Sequence, residues 1–197
     1  MDSNTHSDRL AALTAAVEDL TGEDLDGLAD ATLADDELQL RRLLDRLEGH
    51  WLKGLATLDA RGAAGAEADV QAGSTAGWLR SRLRMGAGAA HSAVRTARAL
   101  FRGPLAQTAQ ALTNGELSVA HATVLSVGTH DLPAHLTAEA EPVLLEAAYR
   151  LDPGRLRQVV GHLRLVADPD GAEGQAERRQ RQRGGCGWPP PGRAWWP

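Results

Sequence analysis

The 197-residue sequence holds one cysteine, Cys186, which excludes an intrachain disulfide and any zinc site built on a cysteine cluster. Aromatic residues are scarce: seven in all, three of them (Trp188, Trp195, Trp196) within the last ten positions. A core must therefore be built from Leu, Val and Ala, and alanine buries little area per residue. No apolar run approaches the ~18 residues of a membrane span, so no membrane partner is expected. Met1–Asp8 is polar and lacks a basic-then-apolar leader. A cytoplasmic location follows by elimination. Strand-like alternation and internal repeats are both missing, so the expected fold class is all-α.

The usual marks of an active site are missing too. No two histidines stand four apart beside a glutamate, as a helical zinc protease needs. His130, Asp131 and His135 resemble a metal fragment, but nothing nearby supplies the remaining ligands. His121 and His162 sit beside apolar positions and read as satisfied core or interface groups. Gly86-Ala87-Gly88 follows a helix rather than a strand, which rules out a dinucleotide fingerprint. No serine lies in a nucleophile-elbow pattern, and the carboxylates of the N-terminal third read as surface acids. The expectation is no catalytic residue, no metal and no cofactor.

What is present is a succession of helical signals. Ser7–Leu20 carries Leu10, Leu13, Val17 and Leu20 at helical spacing and stops at Gly22. Asp35 or Asp36 is positioned to cap a long helix of about 25 residues, roughly 38 Å. Its apolar seam would be Leu40, Leu44, Leu47, Trp51, Leu55 and Leu58, a near-heptad rhythm that suits either the spine of a bundle or a dimer seam. Gly62–Gly73 is a small-residue loop. Further helices are expected from a cap at Ser74 or Thr75 to Arg84, on to Phe101, from Leu105 to Leu112 with a stop at Asn114-Gly115, from a cap at Ser118 to Val127, from a cap at Thr137 to Leu151, and from Asp152-Pro153 to Ala167. Asp168–Gly171 reads as a turn, and Glu173–Arg183 as a polar, exposed helix. The predicted architecture is a multi-helix bundle with one long central helix. Its domain would span 1–183, followed by a disordered tail over 184–197.

Charge is distributed unevenly. Met1–Glu48 holds thirteen acidic and four basic residues, whereas Ser74–Arg102 holds six arginines and no acid. A second basic run, Arg178, Arg179, Arg181 and Arg183, lies near the end. A solvated helical surface explains such a strip. So does a phosphate-facing one, with Arg80, Arg82, Arg84, Arg95 and Arg98 as the candidate nucleic-acid-binding residues. The segment Ser74–Phe101 also has the outline of a helix-turn-helix pair, with Leu79, Leu83, Met85, Ala90 and Ala93 at suitable apolar offsets. Arg84 stands where the turn glycine is usual, and His91, Ser92, Arg95 and Arg98 would project from the second helix.

Five segments in this order, Gly73–Arg80 (GSTAGWLR), His91–Leu100 (HSAVRTARAL), Ala111–Ala122 (ALTNGELSVAHA), Leu151–Pro153 and Asp168–Gly171, resemble domain-of-unknown-function family 222, also called the 13E12 repeat family, of high-GC actinobacteria. The resemblance covers about residues 8 to 183. It implies the helical region of HNH-endonuclease-like proteins, whose nuclease module uses histidine and asparagine to hold a divalent metal and activate a water. This sequence has only two asparagines, Asn4 and Asn114, and nothing after Arg183 reads as that module. The resemblance thus implies a helical domain without the catalytic part, and it carries over no catalytic residues.

The stretch Gly184–Pro197 departs from the family. Shifting the reading frame by two nucleotides forces alanine across Trp188-Pro189, valine across Trp195-Trp196 and alanine across Trp196-Pro197, and the other positions permit a family-like continuation. The expectation is a frameshift product and hence a truncated chain. The functional expectation is a non-catalytic, nucleic-acid-associated helical domain, with DNA and a second copy of the chain as partners. The alternative is a structural or protein-interaction bundle with no nucleic-acid role.

Overall fold

The computed structural model describes residues 3–64 and 73–167. The polar segment 173–183 and the tail 184–197, with its frameshift expectation, lie outside the described residues. All regular structure among the described residues is helical: α1 Ser3–Thr21, a 3-10 turn Leu25–Gly27, α2 Asp30–Ala60, α3 Thr75–Leu83, α4 Ala87–Phe101, α5 Ala106–Asn114, α6 Val119–Gly128, α7 Ala134–Arg150 and α8 Pro153–Ala167.

Local chemistry sets most of the boundaries. Ser74 Oγ accepts from Gly77 N–H at the start of α3, and Ser118 Oγ accepts from His121 N–H at the start of α6. Asp152 Oδ1 accepts from Gly154 and Arg155 N–H, and Pro153 then opens α8. Helix α5 closes at Gly115, which takes the left-handed conformation (φ 77°) while the N–H groups of Gly115 and Glu116 satisfy the carbonyls of Leu112 and Ala111.

Three starts differ from expectation. Helix α1 begins at Ser3 rather than Ser7. Helix α2 begins at Asp30, before Asp35 and Asp36, and its 31 residues reach about 46 Å at the α-helical rise. Helix α7 begins at Ala134 with Pro133 at its cap position, so Thr137 lies inside the helix and its N–H bonds to Pro133 O. The preset φ of Pro133 starts the helix a turn earlier, and the Thr137 side chain faces inward.

The chain divides into two compact units, Met1–Arg41 and Arg42–Pro197. In the first, no residue from 5 to 41 is buried, and the α1 stripe Leu10, Leu13, Val17 and Leu20 is between 38% and 51% exposed. In the second, α4 packs on α3, α5 and α6, while α8 packs on α6 and α7. Its core is Leu, Val and Ala, as composition requires: Leu79, Leu100, Leu105, Leu112, Leu125, Leu156 and Val160 are almost wholly enclosed, with Trp51, Trp78 and Phe101 only leaning against them.

The C-terminal part of α2 joins this core along only part of the predicted seam, at Leu55 and with Trp51 packed against it. Its buried stripe is Asp45, Gly49, Leu52, Leu55 and Ala56, whereas Leu44 and Leu47 are exposed. Gly49 explains the choice. A Cβ there would sit 3.1 Å from Leu112 Cγ, so the glycine face allows an approach that a leucine stripe would block. Asp45 adds a hydrogen bond, accepting from Val119 N–H at 3.0 Å at the first turn of α6.

Candidate functional site

The arginine-rich segment is a helix pair. Helix α3 ends at Leu83 and is followed by the cap residue Arg84, whose backbone is left-handed (φ 54°, ψ 31°), and α4 starts after Gly86. A left-handed conformation at a residue with a Cβ costs roughly 1–2 kcal/mol, so the arginine occupies the position where the turn geometry favours glycine. Leu79 and Ala90 are fully buried between the helices, as the motif requires, but Leu83 is exposed.

The five candidate arginines fall into two groups. Arg80, Arg82 and Arg84 are exposed at the C-terminal end of α3 and its turn. A positive charge there also complements the helix dipole, a purely structural role. Arg95 and Arg98 lie on α4 on one face with His91 and Arg102 and line a cleft together with them. Further walls come from Ala56, Asp59 and Ala60 at the end of α2 and from the α6–α7 connection through His130 and Leu132.

Arg98 is committed to a partner that sequence reasoning missed. Its Nε and Nη2 donate to the two carboxylate oxygens of Asp59 at 2.6 and 2.8 Å, and Thr75 Oγ1 donates to Asp59 Oδ1 at 2.7 Å. This fork-to-fork pair ties the end of α2 to α3 and α4. The Arg98 hydrogen bonds, opposed by burial and aided by Thr75, hold the Asp59 carboxyl below its ordinary value. Because that value is depressed on folding, the stabilisation is present above the ordinary carboxyl range and lost as pH falls through the folded value. Arg98 itself is largely exposed, so solvent weakens the pair.

Two more acids are structural. Besides Asp45 at α6, Glu141 of α7 is 3% exposed and its Oε1 accepts from both Thr108 N–H (2.7 Å) and Thr108 Oγ1 (2.8 Å) in the first turn of α5. Asp45 and Asp59, expected at the surface, are thus tied into the bundle. Spacing along the chain carries no signal for such pairings, because the partners lie 33 to 74 residues apart.

The histidines divide in the same way. His121 is satisfied on both ring nitrogens, by Ser118 Oγ at 2.7 Å and Leu151 O at 2.8 Å. The carbonyl accepts only, so Nε2 carries the proton toward Leu151. His162, expected in a core or interface, is exposed. His130 and His135 are also exposed, and among the described residues no group of three His, Cys, Asp or Glu is arranged to hold a metal. No described helix is long and apolar enough to cross a membrane.

Comparison with known families matches residues 30–186 to a domain of unknown function, DUF222. The chain belongs to the DUF222 family. No curated protein and no solved structure matches it. The matched region opens where α2 opens and takes in both arginine groups and the cleft, whereas α1 precedes it. Several residues that carried the resemblance are helix junctions: the Ser74 and Ser118 caps, the left-handed Gly115, and Asp152-Pro153.

Proposed function

We propose that this DUF222 chain is a non-catalytic, nucleic-acid-associated domain that corresponds to the helical region of HNH-endonuclease-like relatives. One observation carries the reading: α3 and α4 form a packed pair that holds arginines and no acid, with Arg80, Arg82 and Arg84 exposed at the turn between them. Such a surface meets phosphate without like-charge repulsion from its own helices. Duplex binding measured against salt tests it, because each phosphate contact releases counterions.

Replacing Arg80 and Arg84 together with alanine is expected to weaken binding and to flatten the log-log salt slope, by up to roughly one unit for every arginine that touches a phosphate. Arg98 is left out of this variant because its removal would also strand Asp59. Plasmid DNA incubated with the protein and magnesium or manganese is expected to stay intact. Absence of binding by the parent chain, or unchanged binding by the double variant, refutes the reading.

A separate observation favours a protein-interaction role. Within the first unit, Leu10, Leu13, Val17, Leu20, Leu25, Leu28 and Leu38 are all exposed, an unusual concentration of apolar surface. On this reading a second copy of the chain covers part of it. The molecular mass by analytical ultracentrifugation is then expected to rise with concentration and to fall back to the monomer when Leu13 and Val17 are replaced by glutamate. A monomer at every concentration removes this reading.

A further inference from the structure

The cleft beside α4 has a volume of about 840 Å³, within the range of small-molecule sites, and its depth and rim differ in chemistry. The rim carries His91, Arg98, Arg102 and His130, all exposed, with Arg95 half-buried between them. Arg98 is neutralised by Asp59. Arg95 and Arg102 have no acidic partner among the described residues, so the rim keeps net positive charge.

The buried lining is apolar (Ala56, Val94, Leu132) apart from the hydroxyls of Thr75, Ser126, Thr129 and Thr137. Three of those hydroxyls are already used: Thr75 Oγ1 donates to Asp59, Ser126 Oγ bonds to Thr96 Oγ1, and Thr129 Oγ1 donates to Leu125 O. Thr137 Oγ1 is not. Thr137 is 1% exposed, and its hydroxyl is buried with no hydrogen-bond partner. A buried polar group without a partner is costly and rare, and at a cavity wall it marks a place where something else can supply the bond.

We infer that this cleft binds one nucleotide, with the base against the apolar lining and its polar edge offered to Thr137, and the phosphate on Arg95 and Arg102 at the rim. The argument is one of matching. A flat, weakly polar ring suits walls of alanine, valine and leucine. A dianion suits a rim of two uncommitted guanidinium groups. A ring edge of donors and acceptors suits a hydroxyl, which can do either. A helical threonine divides between two χ1 rotamers, and the inference requires the one that turns the Thr137 hydroxyl toward the ring. A free mononucleotide and an unpaired nucleotide within a strand share this chemistry. The inference deepens the nucleic-acid reading by naming the unit recognised, but it rests on different residues from the α3 surface.

The test titrates the full chain with the four deoxynucleoside 5′-monophosphates, the matching nucleosides, inorganic phosphate, a single-stranded 8-mer and a duplex. At least one monophosphate is expected to bind at least tenfold more tightly than both its nucleoside and inorganic phosphate. Arg102→Gln should weaken that monophosphate at least fivefold. Ala134→Trp, which fills the cleft from the exposed first residue of α7, should weaken it at least tenfold while leaving helicity and duplex binding unchanged. Thr137→Val, nearly isosteric, should change the ranking among the four bases.

Tighter binding of the single strand than of any monophosphate assigns the site to a strand, and the reverse assigns it to a free nucleotide. Either result supports the inference. No monophosphate binding up to millimolar concentration, or binding indifferent to Ala134→Trp, overturns it. A chain that binds a monophosphate but no duplex keeps this inference and loses the reading of the α3 surface. One that binds duplex but no monophosphate does the opposite.

Discussion

Replacing Gly128 with alanine is expected to destabilise the protein by about 2–3 kcal/mol, near the upper end of overpacking costs. Gly128 ends α6 where it meets α8, and a Cβ built there falls inside the van der Waals envelope of Val160 Cγ1 and 3.2 Å from Val160 Cβ. Val160 is itself almost wholly buried and β-branched, so its side chain has no spare rotamer to retreat into. The methyl group must push α8 off α6. Since α8 rests on both α6 and α7, the displacement spreads.

Gly161 is the control. It lies in the middle of α8 with nothing within 4 Å of its would-be Cβ, so Gly161→Ala is expected to raise stability by up to ~1 kcal/mol through helix propensity alone. Urea melts followed by circular dichroism measure both. Equal shifts of the same sign would mean that α6 and α8 leave room for a methyl group between them.

Glu141→Ala is expected to cost about 3 kcal/mol. The carboxylate accepts from the Thr108 N–H, one of the first-turn donors that have no partner inside α5, and it also takes the Thr108 hydroxyl. Truncation leaves two buried donors unpaired, and each unsatisfied group costs roughly 1–3 kcal/mol. Glu141→Gln keeps an oxygen in place and loses only the charge near the helix N-terminus, so its cost should be markedly smaller, about 1 kcal/mol. If alanine and glutamine cost the same, the charge rather than the acceptor supplies the stabilisation. A neutral alanine variant would mean that the pair does not form in solution.

Both predictions concern features that leave little trace in the order of residues. Gly128 reads as one more glycine before a loop, and Glu141 as one more acid on an amphipathic helix. Their weight comes from Val160 and Thr108, each more than 30 residues away. The candidate arginines show the same division. Their identity and their lack of neighbouring acids are plain in the sequence, and so is the projection of Arg95 and Arg98 from one helix. The commitment of Arg98 to Asp59, 39 residues earlier, is not. Nor is the cleft, because its walls come from five helices and from His130 and Leu132 in a connection.

The sequence by itself determined the helical class, the aromatic-poor core of Leu, Val and Ala, and the junctions at Ser74, Gly115, Ser118 and Asp152. These rest on composition or on signals that act within one helical turn. A serine hydroxyl reaches an N–H three residues on, and a glycine turns left-handed by its own lack of a Cβ. Only the tertiary structure decided which stripe of α2 is buried: Asp45, Gly49, Leu52 and Ala56 beside Leu55, with Leu44 and Leu47 of the predicted seam left exposed. It also decided which acids become caps, that Thr137 lies inside α7 with an unpaired hydroxyl, and that two groups of arginines occupy separate surfaces. The physical reason is common to all of these. A face is buried when a partner fits it, and here fit depended on a missing Cβ against Leu112 and on carboxylates meeting unpaired helix N–H groups, contacts that no local periodicity encodes.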